Sequence, residues 1–129
     1  ALIYVAVIVL TRDHSPLGYG AGCVIAAFWN WTNLVHTRFI ETGWHELADT
    51  LRTGQLNRPD LIVGVFAAFA HFLLIAACVA GFFCLTRRSA SDVMRFAAGG
   101  AIAVASFVVM IVLFGPQYMP LLEQVFGLP

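Results

Sequence analysis

Residues 61–86, LIVGVFAAFAHFLLIAACVAGFFCLT, run for twenty-six positions without a formally charged side chain. As an α-helix rising ~1.5 Å per residue, the stretch reaches ~39 Å, against ~30 Å for the hydrocarbon core of a bilayer. Its first twenty residues include eleven Leu, Ile, Val or Phe. Each favours insertion by ~0.3–0.6 kcal/mol, so together they supply ~3–7 kcal/mol, enough to tolerate the one polar group, His71, near the middle. Arg58 and Asp60 close one end and Arg87 and Arg88 the other. The stretch predicts a membrane-spanning helix.

The rest of the chain agrees. Hydrophobic residues make up 60% and charged residues 11%, so the seven acidic and seven basic side chains are too few to cover the surface of a soluble domain of this size. The formal net charge is zero, which gives no electrostatic footprint for nucleic acid. All seven basic residues are Arg, a bias that with the Ala and Gly content fits a GC-rich bacterial genome, and the apolar spans then place the expected location in the bacterial inner membrane.

Outward from this helix, residues 93–114 predict a second full span, its start marked by Ser91 and Asp92 and its end by Gly115-Pro116. Ala97, Ala101 and Ala105 form a stripe of small residues along it, which permits close helix packing. Residues 17–39 predict another span, opened by Ser15-Pro16. There Gly18, Gly22 and Ala26 repeat every four residues, and the same face continues into Asn30, Asn33 and Thr37. Small and polar residues thus share one side, which points into a protein interface. Buried amides need partners in a bilayer, either as glue between helices or as a pocket lined by Asn30, Asn33 and His36. Residues 1–10 are apolar but too short to cross, and read as part of a span.

Residues 40–56 have a different character. Ile40, Trp44, Leu47, Ala48 and Leu51 recur at spacings of three and four, while Glu41, Glu46, Asp49 and Arg52 take the other positions. This is the pattern of an amphipathic helix in the interface plane, ended by Gly54. Residues 116–129 read as a short surface tail. The whole is an all-α integral membrane protein, a polytopic transmembrane helix bundle with one interfacial amphipathic helix, in a single membrane domain over 1–129. Arg12, Arg87, Arg88 and Arg95 against Arg38, Arg52 and Arg58 put the Arg87 side in the cytoplasm.

Chemistry in such a frame falls to the histidines. A haem or quinone held with a partner subunit would draw on His71, His36 or His45. One haem bound by His36 and His71 needs them at similar depth, yet they lie ~5 Å and ~15 Å from the same boundary. Cys23, Cys78 and Cys84 are an odd set without a C-x-x-C pair, which speaks for packing rather than a disulfide framework or zinc site. There is no phosphate loop, no H-E-x-x-H, no nucleophile elbow and no carboxylate inside a span. The composition therefore favours an accessory or anchor subunit of a larger membrane complex, in contact with lipid and other membrane subunits and with no catalysis of its own. The alternatives are a redox subunit contributing histidines to a quinone or haem b site, and one piece of a transporter or permease lined by Asn30, Asn33 and His71.

Overall fold

A computed structural model describes residues 2–85 and 89–115, with 119, 120 and 123. Arg87, Arg88 and nearly all of the tail expected over 116–129 lie outside the described residues. Among the described residues the chain is helical and forms no strand. The α-helices are α1 (Leu2–Arg12), α2 (Pro16–Trp31), α3 (Phe39–Thr53), α4 (Pro59–Phe83) and α5 (Ala90–Phe114), with a π-helical turn, Thr32–His36, after α2.

Among the described residues two helices are long and apolar enough to cross a membrane: Pro59–Phe83 and Ala90–Leu113, both with a mean hydropathy of 2.5. Only 22% of the apolar window of each is buried by the rest of the chain, unlike the core helix of a soluble domain.

The ends of the helices follow from local chemistry. His14 closes α1 with a positive φ of 54°. Its N–H donates to Thr11 O at 3.1 Å, and the Ser15 N–H donates to Leu10 O at 3.0 Å, the paired bonds with which a left-handed residue satisfies the last carbonyls. Pro16 then starts α2, where a missing N–H costs nothing. The start of α5 differs from the Ser91-Asp92 expectation. Ser89 is the cap: its hydroxyl accepts from Asp92 N at 3.2 Å, and the Asp92 carboxylate accepts from Ser89 N at 2.9 Å. A capping box needs partners three residues apart, and Ser89 with Asp92 meets that spacing.

The continuous helix expected over 17–39 is interrupted. At 16 residues α2 spans ~24 Å. Beyond it Asn33 Nδ2 donates to Trp29 O at 2.8 Å, the carbonyl its own N–H would serve in an α-helix. The backbone register lengthens to five residues, with Thr37 N donating to Thr32 O at 2.9 Å. Arg38 then takes a left-handed φ of 53°, and α3 begins.

The chain divides into two compact units, 1–25 with 78–129, and 26–77. In the first, α2 is the hub. Its Gly18 lies against Leu10 and Thr11 of α1, and Gly20 against the backbone of Phe96 on α5. Gly99 of α5 returns the contact at Leu17 and Ala21, around a core of Val7, Ala21 and Ala103. In the second unit, α3 meets α4 at Gly43, where a methyl group would strike Leu61 and Val65. Glu46 on α3 completes the junction, its Oε1 accepting from the N–H groups of Asn57 and Arg58 at 3.1 and 3.0 Å.

Candidate functional site

Trp29 and Asn30 lie in the last turn of α2, and Ala67 and Ala68 share a face of α4 with His71 because they stand four and three residues before it. Asn30 is 4% exposed. Its Nδ2 donates to Ala68 O at 3.4 Å, tying the two helices, while Oδ1 has no hydrogen-bond partner among the described residues. Beside it the Trp29 indole stacks on the His71 imidazole, centroids 4.4 Å apart and planes within 1°. His71 Nδ1 donates to Ala67 O at 2.6 Å. A neutral ring with its proton there carries its basic lone pair on Nε2.

The other residues of the expected polar face do not converge on this point. Asn33 turns back onto Trp29 O, and Thr37 Oγ1 accepts from Phe39 N at 3.3 Å. The π turn is the reason: adding a residue to one turn changes the phase of every side chain after it. His36 closes that turn and is exposed. His45 stands on α3. Among the described residues no group of three His, Cys, Asp or Glu side chains is placed to hold a metal ion.

Within the same unit a groove of about 330 Å³ opens beside α3. Its walls include Leu34, Trp44, Val65, Phe69 and Phe72, with Glu41 and His45 as the titratable side chains. The Glu41 carboxylate is engaged by Arg38, through Nε at 2.6 Å and a second guanidinium nitrogen at 2.8 Å. Small-molecule sites of this kind combine an apolar lining with a few oriented polar groups and begin at ~300 Å³.

No family model, curated protein or solved structure matches the chain. The candidate positions therefore stand on geometry.

That geometry separates the two small-residue stripes. Gly18, Gly22 and Ala26 are all buried, the glycines against α1 and α4 of this same chain. Ala97, Ala101 and Ala105 are exposed. The residues that α5 turns inward are Gly99, Gly100, Ala103 and Ile111, all buried. A four-residue repeat finds one stripe per helix, and Gly20, Gly99 and Gly100 escape it because α2 has several neighbours rather than one. The cysteines also divide. Cys84 is exposed, whereas Cys23 and Cys78 meet between α2 and α4 and share a hydrogen bond. Spacing along the sequence gives no sign of a pair 55 residues apart; the only local signal is Gly22, next to Cys23, where a helix backbone can come close.

Proposed function

We propose that the chain is a polytopic membrane protein of a bacterial inner membrane that serves as an accessory or anchor subunit of a larger membrane assembly. α4 and α5 cross the hydrocarbon core, and α3 lies at its surface. Trp44 and Leu51, 56% and 80% exposed, are the side chains that α3 would offer to the lipid headgroup boundary.

The observation that carries this reading is the outward strip Ala97, Ala101, Ala105 on α5, opposite the residues that the helix buries internally. Lipid tails gain little over a protein surface in covering such a strip, whereas a neighbouring helix gains close van der Waals contact along its whole length. Extraction from native membranes in a mild detergent tests it. The expected result is co-purification of a second membrane protein in fixed ratio, lost on Ala101→Leu while the chain itself stays folded. A folded monomer from native membranes, or a partner indifferent to Ala101→Leu, overturns it.

A second reading rests on the groove beside α3. Its aromatic walls and the imidazole of His45 suit a flat, apolar ring with hydrogen-bonding oxygens, as in a quinone, and would make the chain a redox subunit. Quenching of Trp44 fluorescence by added ubiquinone, abolished by Phe69→Ala with Phe72→Ala, supports this reading; unchanged emission removes it.

A further inference from the structure

We propose that Cys23 and Cys78 are a dithiol pair that closes a disulfide between α2 and α4 by exchange with a small, lipid-soluble disulfide. The two thiols already share a hydrogen bond, although they belong to different helices. Gly22 explains the approach. A Cβ at that position would stand 2.6 Å from Cys78 Sγ, so only glycine lets the sulfur of α4 settle against the backbone of α2, beside Cys23. Helix-borne cysteines can be bridged only when their Cα atoms come within ~7 Å, and a glycine at the contact is what permits helices to approach so closely.

The two sulfurs also differ in access. Cys23 is half-buried and Cys78 is 2% exposed. An external reagent therefore reaches Cys23 first. Its thiolate attacks one sulfur of the small disulfide, that S–S bond breaks, and the first small thiolate leaves and takes up the proton given up by Cys23. Cys78 then attacks Cys23 Sγ in the mixed disulfide, and the second small thiol departs with the proton of Cys78. One small disulfide is reduced to two thiols, and the protein loses two electrons and two protons. Cys84 is exposed and takes no part. The inference is independent of any assembly partner.

The test uses dithiodipyridine on the Cys84→Ser chain in lipid nanodiscs. The expected outcome is release of two pyridinethiones per chain, a product lighter by two hydrogen atoms with no adduct retained, and a cross-linked peptide joining positions 23 and 78. The unsubstituted chain should form the same cross-link and keep one adduct, on Cys84. Adding Gly22→Leu should leave a stable adduct on Cys23 and no cross-link, although an untreated sample of the same variant, denatured first, still titrates two thiols. A retained adduct on Cys23 with Gly22 intact, no reaction at all, or cross-linking that survives Gly22→Leu overturns the proposal.

Discussion

The imidazole of His71 lies flat against the indole of Trp29, ring centres 4.4 Å apart, and this contact joins the end of α2 to the middle of α4. Aromatic pairs of this kind contribute ~0.5–1.5 kcal/mol beyond the area they cover. In a double-mutant cycle, Trp29→Leu and His71→Leu should show a coupling of about 1 kcal/mol by denaturant unfolding in mixed micelles. His71→Phe should keep most of that coupling while removing the bond to Ala67 O. Independent, additive effects would show that the stack is passive.

Asn30 presents a different balance. Its bond to Ala68 O is long at 3.4 Å, and its Oδ1 is buried without a partner among the described residues. Removing both atoms should therefore change little, and Asn30→Leu is expected to shift stability by less than about 1 kcal/mol. Asn30→Asp places an acceptor against an acceptor in a buried position and should cost more than about 2 kcal/mol. The same unfolding assay reads both variants, and the order of the two costs is the diagnostic.

Gly20 faces the backbone of Phe96 with no flexible side chain between them. Gly20→Ala should cost about 1–3 kcal/mol through forced separation of α2 and α5. Ala101→Leu, on the exposed face of α5, should leave the isolated chain within about 0.5 kcal/mol of the original. Thermal unfolding in detergent separates the two, and equal costs would mean that both faces are packed.

The capping box at the start of α5 gives a direct contrast between two serines. Ser89→Ala removes the acceptor of the Asp92 N–H and should cost about 1 kcal/mol. Ser91→Ala, one residue inside the helix and exposed, should be neutral. Circular dichroism through a thermal ramp measures both.

Glu46 holds the N–H groups of Asn57 and Arg58 ahead of α4. Glu46→Ala should speed hydrogen exchange at these two amides roughly fivefold, the loss of one ordinary hydrogen bond, with no change inside α4. Glu46→Gln retains an acceptor oxygen and should largely restore protection. Exchange followed by mass spectrometry resolves the segment.

The element list was legible in the residues because it depends on local properties. Apolar length marked α4 and α5, the three-and-four spacing of Ile40, Trp44 and Leu47 marked α3, and Gly54 marked its end with a left-handed φ of 73°. The end of α2 was not legible. A window of hydropathy runs on through residues 32–36, and the break depends on the Asn33 side chain competing for Trp29 O, a choice of one hydrogen bond over another.

Which face each helix turns inward lay further still from the sequence. Two stripes of small residues look alike on paper, yet Gly18 and Gly22 are consumed inside the chain and Ala97, Ala101 and Ala105 are left outside. The residues alone predicted a helical chain with three apolar segments long enough to cross hydrocarbon, since hydropathy and helix rise are sums over neighbours in sequence, and the structure keeps two of them, α4 and α5, as helices of that length. Only the tertiary structure decided that Cys23 meets Cys78 and that Trp29 covers His71, because close packing is a property of pairs of surfaces, and the chain brings those surfaces together from positions 40 to 55 residues apart.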